Sequence, residues 1–151
     1  NWTRRGNWHL TLYFLGDVEE EELSSIRSSL SRISSPAFRL QAVGGGFFPP
    51  GKPPRVIWVG VQTGAKDCTA LAGEVEKKLV ESGYSQRDKP FRPHLTLGRV
   101  KKGARDDWQA LLSFLQEIEW PEIDIDSFVL WESRLSPSGP QYHEIQRYFL
   151  E

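Results

Sequence analysis

Cysteine, methionine and net charge are all scarce in this chain, and the scarcity excludes several classes of protein. The single cysteine, Cys68, excludes an internal disulfide bond and favours a reducing compartment such as the cytoplasm. The 19 basic and 20 acidic side chains give a formal net charge of −1, so the whole molecule has no field for coating nucleic acid non-specifically. Methionine is absent, and the sequence begins with Asn1. We expect a cytoplasmic protein.

Long apolar runs are also absent. The longest stretches, such as residues 56–59 and 128–131, are far shorter than the roughly 20 residues that a membrane-spanning helix needs. The first residues show no signal-peptide pattern. A length of 151 residues is that of one domain with a substantial core. We therefore expect a single domain over residues 1–151 with no membrane partner.

One four-residue pattern occurs twice in the chain. It reads His-Leu-Thr-Leu at residues 9–12 and again at residues 94–97. Leucine alternates with polar residues at the period of two that is typical of a β-strand, so histidine and threonine share one face of each strand. A single His-x-Thr is weak evidence of function, whereas two copies in the same context are much more specific. If both strands line one cleft, that cleft holds two imidazoles and two hydroxyls.

Two imidazoles that face a phosphate can perform phosphodiester cleavage without a metal. Histidine has an unperturbed pKa of about 6.5, so one ring can accept a proton from the nucleophile while the other donates a proton to the leaving oxygen. Threonine hydroxyls can donate to non-bridging phosphate oxygens. A metal site would need further ligands, because no Asp, Glu or Cys keeps ligand spacing with either histidine. We interpret His143, which has no Thr two residues later, as structural or superficial.

Apolar periodicity predicts alternating strands and helices. Strands are predicted over residues 8–15, 38–43, 55–61, 94–100, 123–132 and 142–150, and helices over 18–34, 69–82 and 108–115. A Gly- and Pro-rich loop is predicted over residues 44–54, and Asp17 with Glu20 forms the capping pattern of the first helix. This order, with short links, indicates a mixed α+β fold with antiparallel sheets.

Three details near the motifs stay open from the residues alone. Adjacent Phe47 and Phe48 are either a core plug or an exposed stacking surface, and their Gly/Pro context favours the plug. Strict alternation turns Arg99 away from His94 unless Gly98 permits a bulge or twist. Basic side chains crowd the second motif, either as a solvated surface or as a rim that attracts an anion. These are Arg87, Lys89, Arg92, Arg99, Lys101, Lys102 and Arg105.

Longer segments around both motifs resemble the two-histidine (2H) phosphoesterases. Within that superfamily the chain is most similar to the bacterial and archaeal RNA 2′,3′-cyclic phosphodiesterases, historically called 2′-5′ RNA ligases. The matching segments are residues 9–16, 48–50, 54–60, 93–100 and 135–142, which together extend over nearly the whole chain. The resemblance implies a bilobal α+β fold in which two antiparallel sheets flank a central groove with helices outside. It also implies no cofactor, no metal and RNA ends or cyclic nucleotides as partners of a monomer.

The resemblance further implies roles for individual residues. Members of the family open a 2′,3′-cyclic phosphate at an RNA end and leave a 2′-phosphate. By the match, His9 is the acid that protonates the departing 3′ oxygen, and His94 is the base that activates water. The two motifs are alike, so the residues themselves leave open which histidine is acid and which is base. The substrate contacts implied by the match are Thr11, Thr96 and Arg99 on the phosphate and Phe48 near the nucleotide.

Two other functions fit the same residues: a phosphodiesterase or ligase for 2′-5′-linked RNA, and a non-catalytic module that binds RNA ends. The intact histidine and threonine of both motifs disfavour the binding module. Family members usually begin with a strand and a helix before the first motif, whereas eight residues precede His9 here. We therefore expect an N-terminally incomplete chain in which one lobe exposes apolar surface.

Overall fold

The computed structural model describes residues 1–50 and 53–151, and its strands form three small sheets. The helices are α1 (Glu20–Leu30), α2 (Ala65–Glu81) and α3 (Trp108–Gln116), with a 3₁₀ turn at Arg5–Asn7. The strands are β1 (Phe38–Leu40), β2 (Ala42–Phe48), β3 (Val56–Val61), β4 (His94–Arg99), β5 (Ile123–Ile125), β6 (Ser127–Ser136) and β7 (Gly139–Phe149). The sheet orders are β1-β5, β2-β3-β4 and β6-β7, and the last two sheets are antiparallel. The predicted α+β class is confirmed.

The described chain divides into two compact units. The first unit comprises Asn1–Thr11, Arg39–Ala65 and Pro93–Ile123, and the second comprises Leu12–Phe38, Lys66–Arg92 and Asp124–Glu151. A single two-lobed domain over residues 1–151 stays a prediction. None of the helices in the part of the chain that the structure describes has both the length and the apolar character needed to cross a bilayer.

The first unit is built on the β2-β3-β4 sheet, with α3 against one of its faces. Ile57 and Val59 of β3 point to this face and are 5% and 0% exposed. Gly45 of β2 pairs with Val59, and a Cβ added to this glycine would lie 3.3 Å from the Cβ of Leu115 in α3. We call this side of the sheet the helix face. Apolar burial by α3 therefore fixes which side of each strand remains for polar side chains.

The second unit has its own apolar core, which α1, α2 and the β6–β7 hairpin share. Its buried members are Ile26, Leu30, Leu71, Val75, Leu79, Phe128, Leu130 and Tyr148. Steps of four residues align the three α2 members on one side of the helix, as the periodicity predicts. The rings of Phe128 and Tyr148 stack across the hairpin with their centroids 4.8 Å apart. A two-residue turn closes the hairpin, since Ser136 pairs with Gly139.

The predicted strand over residues 8–15 is wrong for most of its length. Within it, Leu10 alone makes a β-bridge, to Leu95, and residues 12–15 join no ladder of the described chain. Alternation shows which side chains share a face, but a strand also needs a neighbour that completes its backbone hydrogen bonds. The sequence pattern contains no information about that neighbour.

Several element boundaries also differ from the prediction. Helix α1 begins at Glu20 and ends at Leu30, and its capping contact joins the Glu19 N–H to the Glu22 carboxylate at 3.1 Å, rather than Asp17 to Glu20. Helix α2 begins four residues earlier than predicted, at Ala65. The strand predicted over 123–132 is interrupted after β5, so β5 and β6 belong to different sheets.

The predicted loop over residues 44–54 is partly a strand. β2 continues through three glycines to Phe48, and this stretch is paired with β3. Glycine is unfavourable in strands, and the reason for it here is the close approach of the Trp58 side chain of β3 to Gly46. Two residues of the predicted loop, Gly51 and Lys52, lie outside the described residues.

Exposed apolar side chains occur in both units. In the first unit Trp2 and Phe114 are 67% and 65% exposed. In the second unit Phe14 is 83% exposed and Leu135 at the hairpin tip is 91% exposed. Apolar surface is therefore exposed in each unit.

Candidate active site

The second motif lies on β4, the end strand of the first unit's β2-β3-β4 sheet. His94 pairs with Gly60 of β3, and Thr96 pairs with Trp58. Directly opposed residues in an antiparallel pair share a face, so these four residues lie on one side of the sheet. That side is opposite to Val59, and we call it the motif face. His94 and Thr96 are both half-buried there.

The first motif approaches β4 from its other edge. Leu10 forms an antiparallel bridge with Leu95, and further back Trp2 forms one with Gly98. With this direction and register, His9 lies beside Thr96 and Thr11 lies beside His94. Because Leu95 pairs with Val59 on the helix face, the neighbours of Leu10 are directed to the motif face. The bridge therefore brings both His-x-Thr pairs to the same side of one unit.

A β-bulge in β4 changes the direction of Arg99. Thr96 pairs with Trp58 and Gly98 pairs with Ile57, so Leu97 is an extra residue between two consecutive partners. Arg99 then pairs with Val56, which alternation places on the motif face. The bulge that the sequence left open is present. It returns the exposed Arg99 to the side of the sheet that carries the histidines.

The N-terminal residues hold this bulged segment in place. The Asn1 backbone nitrogen donates to the Arg99 carbonyl at 2.8 Å, and the Arg99 N–H donates to the Asn1 carbonyl at 2.9 Å. The Thr3 N–H donates to the Leu97 carbonyl at 2.8 Å. These bonds complete backbone groups that a bulge would otherwise leave unpaired.

The two adjacent phenylalanines occupy opposite faces of the sheet. Phe47 meets Trp108 of α3 edge to face, with 6.1 Å between centroids, and so serves as the apolar plug. Phe48 pairs with Val56 and lies on the motif face. Its ring is edge-on to the His94 imidazole at 5.5 Å and 82°. The plug interpretation is therefore wrong for Phe48, which lies beside the second motif.

The orientation of His9 is fixed by its neighbour Asn7. The His9 Nδ1–H donates to the Asn7 carbonyl at 2.8 Å, because a carbonyl oxygen can only accept. This bond selects the tautomer and leaves Nε2 as the nitrogen that exchanges a proton. His9 is exposed. Asn7 was not identified from the sequence, since a backbone acceptor has no side-chain signature.

Trp58 is the other residue of the motif face that sequence reasoning missed. Its ring stacks on Phe48 with centroids 5.1 Å apart and an interplanar angle of 24°. The alternation of Val56, Trp58 and Gly60 along β3 was a usable signal, because it places the tryptophan on the same side as the Gly60 partner, His94.

One member of the basic cluster around the second motif, Arg87, is held within the second unit. Arg87 belongs to the second unit, is 19% exposed, and donates to the carbonyls of Leu12 and Ala72 at 2.8 and 3.2 Å. Its guanidinium also lies 3.5 Å from the Glu76 carboxylate. Arg87 is therefore a structural cation. The segment 101–105 of the first unit is exposed, as a solvated rim would be.

His143 lies apart from the two motifs in the sequence and belongs to a different compact unit from the motif histidines. His143 is an exposed residue of β7 in the second unit, opposite Glu132. Among residues 1–50 and 53–151, no group of three or more His, Cys, Asp or Glu side chains is arranged to hold a metal ion. The motif face carries imidazole, hydroxyl and guanidinium groups, which can transfer protons and donate hydrogen bonds.

Paired His-x-Thr motifs on an α+β scaffold are the features of a phosphoesterase, and comparison with known proteins agrees. The family model described as LigT like Phosphoesterase matches residues 1–58 and 59–142. The chain belongs to this family.

Individual relatives share most of their length with this chain. An RNA 2′,3′-cyclic phosphodiesterase of Archaeoglobus fulgidus is 38% identical over 140 residues, which are 93% of this chain and 78% of the relative. A crystal structure of a Thermus thermophilus protein has a TM-score of 0.82 at 29% identity, covering 98% of this chain and 80% of that one. The Escherichia coli LigT structure complexed with 3′-AMP has a TM-score of 0.78 at 25% identity, with coverages of 99% and 80%.

Proposed function

We propose that this protein hydrolyses 2′,3′-cyclic phosphate ends of RNA to 2′-phosphates without a metal ion. The observation that carries the proposal is the Leu10–Leu95 bridge, which brings His9, Thr11, His94 and Thr96 to one face of the sheet. A reaction of this kind needs one proton acceptor, one proton donor and fixed donors for the phosphate oxygens. The motif face supplies each of these groups.

The two histidines divide the proton transfers in this mechanism. His94 accepts a proton from water as the water oxygen attacks phosphorus opposite the 3′ oxygen. As the bond from phosphorus to the 3′ oxygen breaks, His9 donates its Nε2 proton to that oxygen. The bond from His9 Nδ1 to the Asn7 carbonyl keeps the ring oriented in both protonation states, so Nε2 stays available for this proton transfer. Each positioned imidazole contributes about 10²–10⁴-fold to the rate.

The remaining site residues bind the substrate. Thr11 and Thr96 donate hydroxyl hydrogen bonds to the non-bridging oxygens, where negative charge increases in the transition state. Arg99, directed to the motif face by the bulge, adds a charge-assisted contact to the same phosphate. Phe48 offers its ring to the nucleotide base. RNA ends or cyclic nucleotides are the expected partners of a monomeric enzyme.

The relatives support the substrate class. The Archaeoglobus fulgidus relative carries the name of an RNA 2′,3′-cyclic phosphodiesterase, and Escherichia coli LigT has been crystallised with 3′-AMP. A cytoplasmic location belongs to the proposal and rests on Cys68, a buried free thiol.

The test is hydrolysis of an RNA that ends in a 2′,3′-cyclic phosphate, with EDTA present. We expect the parent chain to release a 2′-phosphate product and expect His9→Ala and His94→Ala each to lower kcat by at least about 100-fold. His143→Ala is the matched control, since this exposed histidine lies outside the motifs and should retain parental activity.

Two outcomes would contradict the proposal. Activity that EDTA abolishes would indicate a metal mechanism. A folded parent that binds the cyclic end without turnover would be a binding module instead. Product analysis with 2′-5′-linked RNA distinguishes the proposed hydrolysis from the alternative function, a phosphodiesterase or ligase that acts on that linkage.

A further inference from the structure

We propose that Trp58 is a positioning residue of this site, whose indole holds the Phe48 ring against the His94 imidazole. The inference rests on the proposed function, because it assigns a purpose to contacts on the motif face. Trp58 lies opposite Thr96 in the ladder of β3 and β4, and its ring stacks on Phe48. It acts through Phe48, whose ring contacts both the indole and the His94 imidazole.

Two glycines form a seat for the indole. A Cβ added to Gly46 of β2 would lie 2.9 Å from Cζ2 of Trp58 and 3.4 Å from its Cε2. A Cβ added to Gly60 would lie 3.4 Å from Cζ3. Gly46 does not have a positive φ, so the backbone conformation does not require glycine there. Glycine is required because the indole occupies the space that a side chain at position 46 would need.

The seated indole is the base of a stack of three rings. The indole stacks on the Phe48 ring, with 5.1 Å between the centroids and an interplanar angle of 24°. The Phe48 ring then presents its contact to His94 at 5.5 Å and 82°, which is an edge-to-face geometry. Both are preferred arrangements of aromatic pairs, and each such pair shifts an equilibrium by about 2- to 12-fold beyond its buried area. Removing the indole therefore frees Phe48 to leave His94.

The indole N–H does not explain why tryptophan is present. Trp58 Nε1 is buried, and no acceptor among the described residues lies within hydrogen-bond distance of it. A buried donor without an acceptor is unfavourable, so the position gains from ring area and not from polarity. Phenylalanine at this position should then preserve the function, whereas an aliphatic side chain of similar bulk should not.

The experiment compares variants of the whole chain that keep or remove the stack. Trp58→Leu removes the indole, and Gly46→Ala displaces it. Each variant should lower kcat/KM for a 2′,3′-cyclic nucleotide by about tenfold. Trp58→Phe should restore activity to within about threefold of the parent. Circular dichroism with thermal melting confirms that each variant is folded.

A double-mutant cycle separates positioning from a general structural role. If Trp58 acts through Phe48, Trp58→Leu costs about tenfold in the parent but less than about twofold in a Phe48→Leu background. Equal costs in the two backgrounds would overturn the proposal, because Trp58 would then act independently of Phe48. Full activity of Trp58→Leu in the parent would overturn it as well.

An NMR measurement tests whether Trp58 positions Phe48 without relying on turnover. It therefore stays informative if the parent is inactive and the proposed function fails. The chain contains three histidines, and the variants His9→Gln and His94→Gln assign their ring signals. The Phe48 ring lies beside His94, so Phe48→Leu and Trp58→Leu should move the His94 signals in the same direction and leave those of His143 in place. If Phe48→Leu moves the His94 signals and Trp58→Leu does not, Trp58 does not position Phe48.

Discussion

Replacing Arg87 with methionine should destabilise the second unit strongly, although sequence reasoning assigned this arginine to a solvated surface or an anion-attracting rim. Its Nη2 donates to the Leu12 carbonyl at 2.8 Å and to the Ala72 carbonyl at 3.2 Å. The backbone N–H of Arg87 donates to the Glu76 carboxylate at 2.6 Å. The guanidinium also lies 5.2 Å from the centroid of the Phe91 ring. Methionine keeps the apolar stem and removes the polar contacts of the guanidinium.

The magnitude follows from the number and burial of the lost contacts. A hydrogen bond from a charged group contributes about 1.5–3 kcal/mol, and two such bonds to carbonyls are lost. The side chains of Arg87 and Glu76 are 19% and 17% exposed, so water compensates only in part. Removing the arginine also leaves the Glu76 charge partly buried beside its remaining backbone donor. After discounting for partial exposure, we expect the free energy of unfolding to fall by about 3 kcal/mol.

Urea unfolding followed by circular dichroism measures this loss. Arg134→Met is the matched control, because its ion pair with Glu132 is 63% exposed on the arginine side and should contribute nothing measurable. A loss below about 1 kcal/mol for Arg87→Met would refute the reasoning. Equal losses for the two variants would refute it too, since burial would then not be the deciding factor.

Three further predictions concern the core, alkaline stability and the phosphate contact. Val59→Ala, at a 0% exposed site, should cost about 2 kcal/mol in urea unfolding, whereas Val80→Ala at 41% exposure should cost far less. Burial raises the pKa of Cys68 from 9.0 to about 11, so the unfolded thiol ionises first and stability falls as pH rises from 9 to 11. Over that range the free energy of unfolding of Cys68→Ala should fall by up to about 3 kcal/mol less than that of the parent. An identical decline in the two proteins would show that Cys68 does not cause it. Arg99→Ala should raise KM for a cyclic nucleotide about tenfold, and Arg99→Lys should recover only part of it; an unchanged KM would remove Arg99 from the site.

Local patterns predicted the elements that depend on a residue's own neighbours in the chain. Four-residue apolar steps located α2, a continuous apolar run located β3, and period-two alternation located β4 together with the faces of His94 and Thr96. Repetition of the motif was enough to identify the two histidines as candidates. These inferences succeed because helix and strand periodicity depend on backbone geometry alone.

Contacts between distant segments were beyond such patterns. Residues 12–15 alternate as a strand does, yet they join no ladder of the described chain, because a ladder requires a partner strand. Arg87 has the composition of a surface cation, yet carbonyls and a carboxylate from other segments surround it.

The sequence by itself determined the chemical groups of the site and the strand that carries the second motif. Tertiary structure decided how those groups meet: the Leu10–Leu95 bridge adds the first motif, and the bulge at Leu97 directs Arg99 to the motif face. It also decided that Gly46 provides the space for Trp58. The physical reason is that register, bulges and close approaches depend on pairing between segments far apart in the chain, whereas side-chain chemistry and periodicity are properties of the segment itself.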